Sequence, residues 1–115
     1  MYLWEKKIDA NYKLKIMKDT TIHVATVLGK FEAINAEEGQ QIYDLILKAF
    51  FQSNKVILSF DNMEVLSEEF LQSAVGQLYQ NYSHAEIKKN MRIDNIPFSG
   101  KVALKRIVDK AREKY

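Results

Sequence analysis

Residues 55–71 read KVILSFDNMEVLSEEFL, and this stretch sets the architecture of the chain. Val56–Phe60 is an almost continuous apolar run, which is typical of a strand buried on both faces in a parallel sheet. A short loop follows, with an apolar pair, Val65–Leu66, that we expect to be buried. Ser67 can cap a helix, and the acids Glu68–Glu69 suit its first turn. The stretch therefore predicts a buried strand, a loop and a helix.

Similar signals lie on both sides of this stretch. A helix is predicted from Asn35, another capping residue, because apolar residues then recur at helical spacing: Ile42, Leu45, Ile46, Ala49 and Phe50. The helix from Ser67 is expected to bury Phe70, Leu71, Ala74, Val75 and Leu78. Further on, Met91–Asp94 predicts a short strand, and a last helix is predicted from about Ser99.

The N-terminal part of the chain has the pattern of strands. Tyr12–Ile16 alternates apolar with charged residues, and Ile22–Leu28 is rich in β-branched residues. Lys18–Thr20 lies between them and predicts a turn. We therefore expect an N-terminal hairpin.

The predicted order is strand–strand–helix–strand–helix–strand–helix, which indicates an α/β fold. We expect a mixed sheet of about four strands, consisting of the N-terminal hairpin and parallel strands, with three helices. The 115 residues are predicted to form one domain over residues 1–115, with its core at about 12–112.

Composition bears on the cellular compartment of the protein and on the chemistry available to it. There is no cysteine, so disulfides and thiol chemistry are absent and a reducing compartment fits. The N-terminus lacks the apolar stretch of a signal peptide, and no run reaches the roughly 20 apolar residues that cross a bilayer. We expect a cytoplasmic protein.

Polar residues after the predicted strands are the candidates for chemistry: Asp61, Asn62, Ser67, Glu68, Glu69, Asp94 and Asn95. They could hold a divalent cation, or accept a phosphate at Asp61 as in response-regulator receivers; alternatively, they could make turns and helix caps. The last interpretation is favoured, because the acidic pair of response-regulator receivers is missing.

The scattered glycines form no phosphate loop, and neither His23 nor His84 has a metal-ligand partner at suitable spacing. We expect no catalytic residue, metal or cofactor.

Charge is distributed unevenly along the chain. The segment 88–115 carries +6, which leaves −4 for the rest, concentrated between Glu32 and Glu69. The basic face of the last helix, Lys101–Lys114, supports an alternative function in which the protein contacts nucleic-acid phosphates. Acids are interspersed on that helix, and no aromatic residues interleave with its basic ones, so a solvated face is the favoured interpretation.

The strand, loop and helix start of residues 55–71 resemble the central segment of STAS domains, named for sulfate transporters and anti-sigma-factor antagonists. A closer resemblance is to the STAS-like group of small bacterial proteins. It is carried by Phe70–Leu71 and by Ala74–Leu78, which reads AVGQL. The resemblance implies a regulatory domain without enzymatic activity that docks on a histidine-kinase-type ATPase or an anti-sigma-type kinase. The expected partner-binding residues surround the helix start: Asp61, Asn62, Ser67, Glu68, Glu69 and Gln72.

The resemblance also raises the question of phosphorylation. In family members under kinase control, the first serine of the helix-start motif is modified. Here Glu68 stands at that position and cannot be phosphorylated, although its charge suits a helix N-terminus. Ser67 could accept a phosphate instead, but the favoured interpretation is that it caps the helix.

Overall fold

The computed structural model of this chain describes residues 19–114, in which strands and helices alternate. In chain order the elements are β1 (Asp19–His23), α1 (Val24–Leu28), β2 (Glu32–Ala33), α2 (Ala36–Phe51), β3 (Lys55–Ser59), β4 (Val65–Leu66), α3 (Glu68–Ala74), a 3-10 helix (Gly76–Gln80), α4 (His84–Asn90), β5 (Met91–Asp94) and α5 (Phe98–Lys114).

Two parallel sheets organise these elements. The larger has the order β1–β3–β5, with Asp19 opposite Lys55 and Val56 opposite Met91. The smaller sheet pairs β2 with β4. The central strand β3 buries Val56 and Leu58, which lie on one of its faces, almost completely, and Ile57 on the other face only partly. The predicted α/β class and the parallel arrangement of this strand are confirmed, but its predicted burial on both faces is incomplete at Ile57.

The hydrophobic core lies between the larger sheet and the helices. Its largest fully buried side chains are Phe60, Phe70, Ile42, Ile46, Leu58, Leu71, Leu78, Val24, Val56 and Val75. Asn35 and Ser67 cap α2 and α3 as predicted, and Asn35 forms a complete capping box with Glu38. These caps fix where each helix begins relative to the sheets.

The prediction of a strand over Ile22–Leu28 is wrong after His23, where the chain turns into the short helix α1. Packing overrides the β propensity of this segment, since Val24 is completely buried and Gly29 ends the helix in the left-handed conformation at φ 71°. Asp19 and Thr20, predicted in a turn, are strand residues. The predicted strand Tyr12–Ile16, and with it the hairpin, lies outside the described residues.

The described residues hold more elements than the sequence predicted, namely five strands and five α-helices. The loop residues Val65–Leu66 form β4, and Val65 is 43% exposed, so its predicted burial is wrong while that of Leu66 is right. The helix from Ser67 changes after Ala74 into the 3-10 helix, but all five of its predicted core residues are buried.

Candidate functional site

Ser67 joins the start of α3 to the smaller sheet. Its hydroxyl accepts a hydrogen bond from the backbone N–H of Phe70 at 3.0 Å and donates one to the carbonyl of Ile34. Its own N–H donates to the carbonyl of Ala33 at 3.0 Å. The hydroxyl is therefore engaged in both directions, as donor and as helix cap.

Glu68 forms an ion pair with Arg106, which lies on α5. Two guanidinium nitrogens approach the carboxylate, at 3.1 Å and 3.4 Å. These hydrogen bonds and the charge of Arg106 lower the pKa of Glu68, and Lys110 contributes to the same effect. The acidic helix start and the basic last helix, which the sequence offers as alternative binding surfaces, are thus neighbours.

The exposed side of α3 carries Glu69 and Gln72, and its buried side consists of Phe70, Leu71 and Ala74 together with Ser73, whose hydroxyl donates to the carbonyl of Ala36. Phe70 and Leu71 have no exposed surface. Glu69 and Gln72 are exposed and stand three residues apart, which places them on one face of the helix. The structure therefore presents these two polar side chains from a firmly packed helix.

Asp61 and Asn62 form the tip of a turn after β3. The N–H of Met63 donates to the carbonyl of Phe60 at 3.0 Å, and Asn62 takes the positive φ of 68° that asparagine tolerates better than most residues. The N–H of Asp61 donates to the hydroxyl of Ser59 at 3.3 Å. Both side chains are exposed, and β4 separates this turn from α3.

The other predicted strand-end residues, Asp94 and Asn95, are tied into local structure. Asp94 lies opposite Ser59 on the neighbouring strand, and its carboxylate accepts two hydrogen bonds from Arg92, at 3.0 Å and 3.2 Å. Asn95 has a positive φ of 60°. Within residues 19–114, no three acidic or histidine side chains come together in a way that could hold a metal ion.

Neither histidine belongs to the predicted set of partner-binding residues. His23 is exposed at the end of β1. His84 is the first residue of α4, where its Nδ1 lies 2.9 Å from the hydroxyl of Tyr79. Burial, together with Arg112 and Lys88, lowers the pKa of His84. This contact has the features of a structural interaction.

Sequence reasoning missed two features around the start of α3. The sequence predicts Arg106 only as part of a basic face, because a contact across 38 residues leaves no local pattern. The apolar side chains Phe31, Ile34 and Val65 are all exposed, at 56%, 43% and 43%. No local signal marks Ile34 and Val65 as exposed, because FEAI and EVLS do not alternate apolar with polar residues and β2 and β4 have only two residues each.

The fold and the site together define a small α/β domain in which a buried parallel strand leads through a turn to a capped, surface-exposed helix start. The family model described as "STAS-like domain of unknown function (DUF4325)" matches residues 38–97, just over half of the chain, and the chain belongs to that family. The predicted resemblance is confirmed. No curated protein and no solved structure matches the chain.

Family membership gives a coarse statement about function. A STAS-like domain suggests a regulatory module, and the family is generally non-enzymatic. In the part of the chain from residue 19 to residue 114, no helix has the length and apolar character needed to cross a membrane.

Proposed function

We propose that this chain is a non-enzymatic regulatory module that binds a protein partner, a histidine-kinase-type ATPase, through the start of α3. The binding surface comprises Asp61, Asn62, Ser67, Glu68, Glu69 and Gln72. The observation that carries the proposal is the contrast across α3, where Phe70 and Leu71 are completely buried while Glu69 and Gln72 are exposed.

Rigid presentation supports a binding role. The Ser67 cap ties the first turn of α3 to the smaller sheet through Ile34, and Asn62 lies in a hydrogen-bonded turn. A partner that docks here has little backbone to order, which lowers the entropic cost of association. The surface is thus suited to recognition without a large conformational change.

The two glutamates of the first turn have different roles in this proposal. Glu68 already interacts with Arg106. Glu69 has no ion pair with any residue of the described part and is exposed. Charged groups at an interface govern the association rate and specificity, so Glu69 is the carboxylate best placed to meet a cation of the partner.

Nucleic-acid binding by α5 receives less support. Arg106 is held by Glu68, and Lys105 is held by Asp109 at 2.9 Å. These pairs reduce the positive charge that α5 offers to phosphates, since contacts with free Lys and Arg supply most non-specific affinity. Gel-shift titration at low ionic strength with no retardation is the expected result.

The proposal is tested by binding of the purified ATPase, taken from the same cell, to the wild-type chain and to Glu69→Lys. We expect the reversal to raise Kd roughly fivefold or more, because it replaces an attractive charge by a repulsive one. Glu113→Lys is the matched control, since Glu113 is an exposed glutamate on α5. Calorimetric titration gives Kd, and unchanged melting temperatures show that both variants fold.

Two results would count against the proposal. Equal affinities of wild type and Glu69→Lys would remove the start of α3 as the docking surface. Absence of any binding by the wild-type chain would remove the ATPase as the partner.

A further inference from the structure

A groove with a volume of about 400 Å³ lies along β1, which forms one of its sides with residues 20–23. The opposite side is α2, through Leu45 and Ala49, and α1 contributes Val27. None of the described lining residues belongs to β3, so the groove lies on the side of β1 that faces away from β3. Val27 and Leu45 are 41% and 37% exposed there, which leaves apolar surface for an occupant to cover.

The same side of β1 is an edge of the larger sheet. In the order β1–β3–β5, the only strand that pairs with β1 within residues 19–114 is β3. An edge strand presents backbone N–H and C=O groups with which a further strand can pair. A strand added at this edge would lie over the groove, and every second side chain would point into it.

The segment closest to this edge is the N-terminal part of the chain itself. Residues 1–18 lie outside the described part, and Lys18 is bonded to Asp19, the first residue of β1. Tyr12–Ile16 alternates apolar with charged residues, which is the pattern of a strand with one buried face. A short tether raises the effective concentration of such a segment at the groove to the order of millimolar. The segment therefore has an advantage over any free occupant.

The two faces of β1 differ, and they restrict how a further strand can pair with it. Asp19, Thr21 and His23 alternate along the strand and are exposed on one face. Ile22, on the face that contributes to the core, is only 5% exposed. Residues directly opposite each other in an antiparallel pair share a face. The added strand must therefore bring its polar side chains to the first face and its apolar side chains to the second.

The length of the connecting loop decides which side chains take which face. A two-residue loop would turn the apolar side chains of the segment to the exposed face. A three-residue loop, Ile16–Lys18, places Lys15 opposite Asp19. Tyr12 and Leu14 then point toward the groove, since a shift by one residue exchanges the two faces. The alternation of the segment thus selects the three-residue loop.

We infer that residues 12–15 of this chain occupy the groove as an antiparallel strand on the outer edge of β1, with Tyr12 and Leu14 as the side chains that fill it. Lys15 lies beside Asp19 on the exposed face, where opposite charges favour the pair. The volume of the groove would also suit a small molecule, but the inference assigns it to the chain itself. It does not depend on the proposed function, which concerns the start of α3.

Pairs of introduced cysteines in the full chain test the register, because the chain has no cysteine of its own. Lys13→Cys with Thr21→Cys places two cysteines directly opposite each other, where Cα atoms about 4.5–5.5 Å apart allow a disulfide. Leu14→Cys with Thr21→Cys is the matched control, since these residues face each other only with the two-residue loop. We expect the first pair to form its disulfide at least about tenfold faster, as measured by mass spectrometry during oxidation.

Three results of the cysteine experiment would overturn the inference. Equal rates for the two pairs would show that the segment does not pair with β1. Faster oxidation of the control pair would show that the lysines, and not the apolar side chains, face the groove. Disulfides that form between two molecules would assign the edge of β1 to a second copy of the chain.

Nuclear magnetic resonance of the wild-type chain tests the filling of the groove without any substitution. We expect Overhauser contacts from the ring of Tyr12 or the methyl groups of Leu14 to the methyl groups of Leu45 and Ala49. The apolar probe anilinonaphthalene sulfonate should leave the signals of the groove residues unchanged, because a filled groove has no room for it. Absence of the contacts, or shifts of the groove signals by the probe, would overturn the inference.

A pair of serine variants tests whether the segment contributes to stability. Leu14→Ser should lower the midpoint of urea denaturation, because it removes an apolar side chain from the groove. Lys13→Ser is the control and should leave the midpoint unchanged, since this side chain lies on the exposed face. Equal midpoints for the two variants would contradict the inference, whatever the ATPase does at the start of α3.

Discussion

The hydroxyl of Ser67 connects two segments that are distant in sequence. It accepts the N–H of Phe70, which belongs to the first turn of α3, and it donates to the carbonyl of Ile34, just after β2. A phosphate on this oxygen would remove the donated proton and place a doubly charged group beside a carbonyl oxygen and two glutamates. This geometry supports the interpretation of Ser67 as a cap over that of a phosphorylation site.

Ser67→Ala should lower the free energy of unfolding by about 1–2 kcal/mol, because it removes both the cap and the bond to Ile34. Urea denaturation measures the change. Ser99→Ala is the control, since Ser99 is an exposed residue near the start of α5, and its change should stay within about 0.5 kcal/mol. A Ser67→Ala chain as stable as wild type would show that the cap is dispensable.

Single residues were predictable from the sequence where their role is local. Asn35 and Ser67 could be recognised as caps, because capping depends on neighbours within three residues. The partner of Glu68 could not be predicted, because Arg106 comes close only through the packing of α5 against α3. The sequence therefore predicts where the helix start lies, but it does not predict that the charge of Glu68 is paired with that of Arg106.

Helices α2 and α3 approach each other closely, and Gly39 makes this possible. A Cβ atom at Gly39 would lie 2.5 Å from the carbonyl oxygen of Phe70 and 2.6 Å from the Cβ of Ser73. Across the same contact, the Ser73 hydroxyl donates to the carbonyl of Ala36 at 2.8 Å. The close packing holds α3, and with it the proposed binding surface, in a fixed position.

Gly39→Ala should destabilise the protein by about 1–3 kcal/mol, because backbone atoms of α3 cannot move away without loss of packing. Gly76→Ala is the matched control. The atoms nearest to its added Cβ are side-chain atoms of Gln72, which is exposed and can turn away, so the cost should be below about 1 kcal/mol. Thermal or urea unfolding compares the two, and equal losses would contradict the assignment of Gly39 to the helix contact.

Among the elements, length decided what the sequence could predict. The helix α2 and the strand β3 have clear periodic or apolar patterns, and their positions were predicted within a few residues. The strands β2 and β4 have two residues each, and α1 has five, so they form no recognisable period. Tertiary contacts determine these short elements.

At the scale of the whole molecule, His84 links three helical elements. It begins α4, its ring stacks on Tyr79 of the 3-10 helix with a centroid distance of 5.9 Å, and Arg112 of α5 influences its charge. Burial is the largest cause of its lowered pKa, followed by the positive charges of Arg112 and Lys88. Protonation of His84 would also remove the acceptor for the hydroxyl of Tyr79 if Nδ1 is the unprotonated nitrogen.

The free energy of unfolding should therefore decrease as the pH falls below 6.5, the ordinary pKa of histidine. Between that value and the lower pKa of the folded state, the unfolded chain binds more protons, so stability rises with pH and the contribution is complete above 6.5. Urea titrations at several pH values measure this slope. His84→Gln should reduce it, and identical slopes in wild type and His84→Gln would contradict the prediction.

Family membership does not cover all parts of the molecule equally. The matched region, residues 38–97, contains the turn, β4 and α3, but it ends just before α5. The pair between Glu68 and Arg106 therefore joins a group inside the matched region to one outside it. A comparison of family members that uses only the matched region therefore leaves out Arg106, which pairs with Glu68 at the start of α3.

The parallel order β1–β3–β5 has a consequence for how the protein is made. Asp19 pairs with Lys55 and Val56 pairs with Met91, so each strand pair in the described part encloses at least one complete helix. Closing such long loops costs chain entropy before any pairing energy is gained. During synthesis on the ribosome, α2 must emerge before β1 can meet β3, and the sheet is completed only when β5 follows. Newly made chains thus expose the edge of β3 until β5, residues 91–94, has been translated.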